Sequence, residues 1–241
     1  MLRRLAIVLF ATAAPALAVA ESLPFPFPLA ADGSVPAAPW RVVGLPQQTK
    51  PFTQFSVVDI DGVRALRVEA KESYGNLVHP VHITGSSAHL AWQWRMDKPI
   101  EASDLRTRSG DDTSVKVCVF FDLPLENIPF TDRQILRIAR SKSAEPVPGA
   151  TVCYVWDANL AAGTTLDNAF TRRMRYVVVR SGTAPLRQWM SERRDVAADF
   201  AKLFGAESAT MPPIIAVAVG ADSDNTRTQS LAYVGSLVLE P

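Results

Sequence analysis

The chain predicts an antiparallel β-sandwich of jelly-roll type, and three observations carry that prediction. From Trp40 onward, apolar and polar residues alternate with a period of two in one run after another, the pattern of strands that turn one face to a core. Turn residues separate these runs at short intervals, giving about ten strands against two short helices. No β-α-β alternation is present, which argues against a doubly wound sheet and for one sandwich domain over residues 40–241.

Residues 1–20 read as a leader. Arg3 and Arg4 precede an apolar run over residues 5–18, and Ala18-Val19-Ala20 has the small-x-small pattern of a cleavage site, so the mature chain is expected to begin at Glu21. The run is short for a bilayer span, which takes about 20 residues. No membrane insertion is expected after cleavage, and the protein is expected in the periplasm or secreted. Residues 21–39 read as a Pro-rich extended arm, because Pro24, Pro26 and Pro28 alternate with Leu23, Phe25, Phe27 and Leu29. Proline at every second position forbids a helix and removes ladder donors.

Residues 57–70 read as a hairpin around Asp61-Gly62, with Leu66, Val68 and Ala70 on one face. A strand over 77–83 follows, in which Pro80 marks an edge or a bulge. In residues 90–96, Leu90, Trp92, Trp94 and Met96 share a face, so both tryptophans are expected in the core. Runs at 115–121, 150–156 and 175–180 add strands, and 213–221 and 230–240 close the chain. Thr131-Asp132-Arg133-Gln134 has the spacing of a capping box and opens a helix over 135–141 with Ile135, Ile138 and Ala139 as its apolar stripe. A second helix is read over 191–204, where Val196, Phe200, Leu203 and Phe204 recur at helical spacing and Gly205 suits the C′ position.

Composition limits the partners. The formal charge is +1, and it falls to −1 when Arg3 and Arg4 leave with the leader, which holds no acid. With no Lys/Arg run, neither nucleic acid nor an anionic membrane surface is an expected partner. Cys118 and Cys153 are the only cysteines, and an exported chain sits where disulfides persist. They are a candidate disulfide if their strands are neighbours with both sulfurs on one face; otherwise they are two buried thiols. No Cys-x-x-Cys spacing points to redox work or metal.

Two stretches offer binding chemistry. Asp222-Ser223-Asp224-Asn225-Thr226 concentrates hard oxygens that suit a ligand, or Ca²⁺ through Asp222 and Asp224, although Asp and Asn also shape turns by bonding their own backbone. No cofactor is assigned beyond that calcium candidate, and no EF-hand spacing is present. Trp189 with Glu192, Arg193, Arg194 and Asp195 has the composition that grips a sugar, the ring stacking on its apolar face and the charged groups bonding hydroxyls; the competing reading is acids placed at a helix N-terminus. The expected ligand-binding set is Trp189, Glu192, Arg194, Asp222, Asp224, Asn225 and Thr226.

No catalytic residue is assigned. His79, His82 and His89 show no metal-binding spacing, and Ser181-Gly182 lacks the Gly-x-Ser-x-Gly elbow. Glu192 with Asp222 or Asp224 is the pair that glycoside hydrolysis would need.

The ordered blocks Leu90-Ala-Trp-Gln-Trp-Arg-Met96, Tyr154-Val-Trp156, Val178-Val-Arg-Ser-Gly182, Trp189-Met-Ser-Glu-Arg-Arg-Asp-Val196, Asp199-Phe200, Phe204-Gly205 and Asp222-Ser-Asp-Asn-Thr226 resemble a bacterial family of exported proteins, the domain of unknown function 3047. The resemblance implies a jelly-roll shape similar to carbohydrate-binding modules and brings no function. Where the family pattern ends in Tyr-Gly-Asp, this chain has Tyr233-Val234-Gly235-Ser236. The acid that would serve a structural cation in such a sandwich is therefore missing.

The leading expectation is a non-catalytic binder of a glycan or other cell-envelope component, using Trp189, Glu192 and the 222–226 loop. Its rivals are a polysaccharide-degrading hydrolase or lyase, and a structural or assembly protein whose Pro-Phe arm docks on a partner.

Overall fold

Alternating sequence becomes thirteen strands in two sheets, among the described residues of a computed structural model covering 22–25, 27, 35–143 and 145–240. The expected leader lies outside the described residues, as does much of the arm. The six-stranded sheet holds β1 (Leu23–Pro24), β3 (Gln54–Ile60), β4 (Val63–Lys71), β6 (His89–Lys98), β11 (Trp189–Asp195) and β13 (Gln229–Glu240), in the order β11-β6-β13-β4-β3 with β1 added to β13. The seven-stranded sheet holds β2 (Arg41–Val43), β5 (Tyr74–Ile83), β7 (Lys116–Phe121), β8 (Ala150–Asp157), β9 (Thr165–Asp167), β10 (Met174–Ser181) and β12 (Ile214–Asp222), in the order β2-β5-β12-β7-β8-β10-β9.

The expected hairpin joins β3 to β4, and Asp61 and Gly62 both take positive φ, at 52° and 76°. That geometry matches the twist of the strands it connects. Leu66, Val68 and Ala70 are buried as read. Trp92 and Trp94 pack edge to face, 5.3 Å between centroids, and meet Tyr154 and Trp156 of the other sheet. Pro80 stands where β2, which reaches only Val78 of β5, no longer covers the strand, and β12 opposite is irregular between Ile214 and Ala216. A proline without a ladder donor is tolerated there.

The seven-stranded sheet is apolar on both faces. Val117, Val119, Tyr154, Trp156, Val217 and Val219 join the core between the sheets, while Val78, Leu105, Cys118, Cys153, Val155, Tyr176 and Val178 form a second cluster on its outer face. Two-sided burial explains why β8 reads as an almost unbroken apolar run. Cys118 and Cys153 are directly opposed across β7 and β8, with Cα atoms 4.1 Å apart, and form a disulfide within this second cluster.

Two local readings need correction. Residues 191–195 are not helical: β11 pairs with β6 from Trp189 to Asp195, and the helix α2 (Val196–Phe204) begins only afterwards. The open edge of β6 captures the segment, and the Asp195 side chain accepts the Ala198 N–H as the helix cap. Val196, Phe200 and Phe204 are buried as expected, with Phe200 packed on Phe121. The helix α1 (Phe130–Lys142) starts at Phe130 after Pro129 without a side-chain cap, so the capping box is not used. Its buried residue is Leu136, whereas Ile135 and Ile138 are 58% and 57% exposed. The described part of the arm is docked on its own sandwich. Leu23 and Pro24 pair with Leu239 and Val238, Phe25 N–H bonds the Leu237 carbonyl, and Phe27 stacks on Trp40.

Candidate functional site

Strand alternation separates the residues expected to bind together. On β11, Met190, Glu192 and Arg194 stand opposite Trp94, Trp92 and Leu90 on the inner face, while Trp189 stands opposite Arg95 on the outer face. Glu192 Oε1 accepts from Trp94 Nε1 at 3.0 Å and from Arg180 Nε. Arg180 reaches the inner face because β10 is irregular between Val178 and Arg180, where one extra residue re-aims the side chain. Arg194 holds Asp199 through Nε and Nη2 and lies over the Tyr154 ring, so two of its three nitrogens bond within the fold. Trp189 Nε1 has no hydrogen-bond partner among the described residues.

The 222–226 segment is tied down rather than open. Asn225 donates from its backbone and its side chain to Asp112 Oδ1, and Thr226 N–H donates to Asp112 Oδ2 at 2.7 Å. Asp222 closes β12 and is buried, accepting from Thr113 N–H at 2.9 Å, from the Thr113 hydroxyl and from Lys116 Nζ at 2.9 Å. Asp224 is half-buried, and its carboxyl is pushed upward by burial and by the charges of Asp112 and Asp222. Among the described residues, no group of three or more His, Cys, Asp and Glu side chains is placed to hold a metal. His79 packs on Phe25 and Trp40, His82 is exposed, and His89 stands opposite Asp195 on the other sheet.

Sequence reasoning missed the polar cluster into which Asp222 folds. Lys116, 1% exposed, points to the outer face of the seven-stranded sheet with its ammonium 5.1 Å from the Tyr74 ring centre. Burial, the largest single influence, drives that ammonium toward neutrality, but the Asp222 charge and hydrogen bond together with the Tyr74 and Asp111 charges outweigh it, and the net shift is upward. Beside it, Asp111 is 3% exposed, accepts from Asn168 Nδ2 and Tyr176 OH, and is pushed up to about 7 by burial first and by the Asp222 charge second. The signal was present in Val115-Lys116-Val117-Cys118-Val119. A lysine inside a strand buried on both faces requires a carboxylate partner.

Above this cluster lies a groove of about 530 Å³ on the outer face of the same sheet. Its floor is Tyr74 and Asn76 of β5, Phe120 of β7, Thr151 of β8 and Met174 of β10; α1 forms one wall with Ile135, Leu136 and Ala139, and the loop 168–173 forms the other. Two amides of the groove are fixed by hydrogen bonds. Asn168 Nδ2 bonds Asp111 and Tyr176 OH, while its Oδ1 accepts from Phe170 and Thr171 N–H, shaping the loop. Asn76 Nδ2 donates to Tyr74 OH at 3.2 Å, and the Asn76 side chain lies flat over Gly220, where a Cβ would sit 2.2 Å from its Oδ1. The groove carboxylates are both engaged, Asp132 by Arg173 at 3.1 Å and Glu145 by Arg41 at 2.8 Å. A cavity of this size with apolar walls and few fixed polar groups has the make-up of a ligand site.

A family model for proteins of unknown function, DUF3047, matches residues 38–238. The chain belongs to this family. The DUF3047 match runs from just before β2 almost to the end of β13, so it takes in the groove and the cluster beneath it. No curated protein matches the chain. Similar solved structures include TmCBM61 in complex with beta-1,4-galactotriose, at 11% identity and a TM-score of 0.35 over 84% of this chain and 88% of that one. The family GH12 endoglucanase 3 of Trichoderma harzianum has 12% identity and a TM-score of 0.41, covering 93% and 98%. The xylan-binding module CBM15 has 8% identity and a TM-score of 0.36, covering 91% and 95%. These likenesses are distant, and the sandwich of this DUF3047 chain rests on its own strand pairing. Among the described residues, no helix is long and apolar enough to cross a membrane.

Proposed function

We propose that the protein is an exported, non-catalytic binder of a glycan or other cell-envelope component, working in the periplasm or outside the cell, with the outer-face groove as its site. The observation that carries this reading is the groove itself: about 530 Å³, lined by apolar and aromatic side chains, with the Asn76 amide on its floor and the Asn168 amide on its wall each fixed by a tyrosine hydroxyl. Rings and short aliphatic walls suit the apolar faces of a sugar, and fixed amides and hydroxyls suit its rim. The Cys118–Cys153 disulfide supports an oxidising compartment. Two facts favour binding over hydrolysis. Asp132 and Glu145 on the groove are neutralised by arginines, and Asp111 and Asp222 are sealed under its floor, whereas a general acid must reach the bond it cleaves.

Calorimetric titration against a panel of envelope glycans and oligosaccharides tests the reading. Ile135→Asp places a charge on the groove wall at an exposed position and should abolish binding without unfolding the protein. Binding that survives Ile135→Asp and is lost in Trp189→Ala would move the site to β11. Release of shortened products would replace the binder with the hydrolase or lyase.

A further inference from the structure

We infer that the ligand of this groove is an acidic glycan, its anionic group taken by Arg108 and a sugar face by the ring of Phe170; the inference rests on the groove being the binding site. Of the cations on the groove among the described residues, Arg173 is held by Asp132 and Glu207, and Arg172 stands 3.4 Å from Asp167. Arg108 is the one with no carboxylate partner. Its Nε donates to the Ala169 carbonyl at 3.2 Å, and its guanidinium carbon lies 5.4 Å from the centre of the Phe170 ring. That single anchor leaves Nη1 and Nη2 without a hydrogen-bond partner among the described residues.

The platform beneath Arg108 is built rather than incidental. Phe170 is 55% exposed, and its backbone N–H is fixed by Asn168 Oδ1 at 3.0 Å. Asn168 is in turn held by Asp111 and Tyr176. A buried network therefore spends its polar groups on presenting an aromatic ring to the groove with a cation lying over it. Since both groove carboxylates are already paired, the unpaired guanidinium leaves the groove an excess of positive charge. A planar guanidinium with two free nitrogens matches a carboxylate bidentately, and an aromatic ring matches the apolar face of the sugar that carries it.

The test uses the full-length mature protein and pairs of probes that differ only in charge: oligogalacturonate and oligomannuronate, each against its methyl ester, with neutral oligosaccharides alongside. The acids should bind about ten-fold or more tightly than their esters, the scale of one charge-assisted pair, and their affinity should fall with salt. Arg108→Gln should remove that preference and Arg108→Lys restore part of it. Arg106→Gln should change nothing, because Arg106 is paired with Asp104. Esters or neutral glycans binding as tightly as the acids would overturn the inference and leave the groove reading standing. Acid binding that is indifferent to Arg108→Gln would also overturn it. Failure of every glycan would remove the groove reading and this inference together.

Discussion

Replacing Asp111 by Asn should change how the stability of this protein depends on pH. Asp111 is 3% exposed, and its carboxyl is pushed up to about 7 from an ordinary value of 3.8, by burial and then by the neighbouring Asp222 charge. A carboxyl whose pKa is raised on folding binds its proton more tightly in the folded state. Its contribution to stability is therefore complete below about pH 4 and is lost as the pH climbs to about 7. About three pKa units at 1.36 kcal/mol each put the loss at about 4 kcal/mol by pH 8. The amide of the Asp111→Asn variant has no such proton to lose. Urea unfolding of both proteins, disulfide intact, at one-unit steps from pH 4 to 8 gives the difference in unfolding free energy, in which groups common to both cancel. The Asp111→Asn protein should gain about 4 kcal/mol on the wild type across that range, mostly between pH 4 and 7. A difference that stays flat within about 1 kcal/mol would show that the folded protein does not hold Asp111 protonated near neutrality, and the account of the cluster beneath the groove would fail with it.

Lys116→Met leaves Asp222 buried without its cation and should cost about 3–5 kcal/mol in denaturant unfolding, with part recovered in the Lys116→Met, Asp222→Asn double variant. Replacing both Cys118 and Cys153 by Ala opens a link of sequence separation 35 and should cost about 3–4 kcal/mol on the chain-entropy account, read as a lower urea midpoint that no longer responds to reductant. Glu192→Gln weakens the bonds to Arg180 and Trp94 and should lower stability by about 1–3 kcal/mol while leaving glycan affinity unchanged; a matching loss of affinity would restore Glu192 as a ligand residue.

Strands were legible where apolar residues alternated along one face. The Asp61-Gly62 hairpin, the shared face of Trp92 and Trp94, and the burial of Leu66, Val68 and Ala70 all followed from a period of two. The reading failed at residues 191–195 because Val196, Phe200 and Phe204 supply a helical period just beyond, and a polar segment has no apolar pattern of its own to oppose it. Only the vacant edge of β6 decided it. The stripe on α1 failed for a related reason: Ile135 and Ile138 are apolar, but one lines a groove and both remain exposed, which periodicity cannot separate from burial.

What the chain determined by itself was architectural: a β-sandwich, its tryptophan core, and the two cysteines suited to a bridge. These depend on side-chain alternation and local turn chemistry, which act over a few residues. The site belonged to the tertiary structure. Asp111 meets Asp222, and Asn76, Phe120, Ile135, Thr151 and Phe170 meet around one groove, because strand order β5-β12-β7-β8-β10 brings distant segments side by side. The same pairing sent Trp189 and Glu192 to opposite faces. A strand's pairing partner, and hence what its outward side chains see, is set by competition among whole strands for edges and for burial, and that competition leaves no local mark in the sequence.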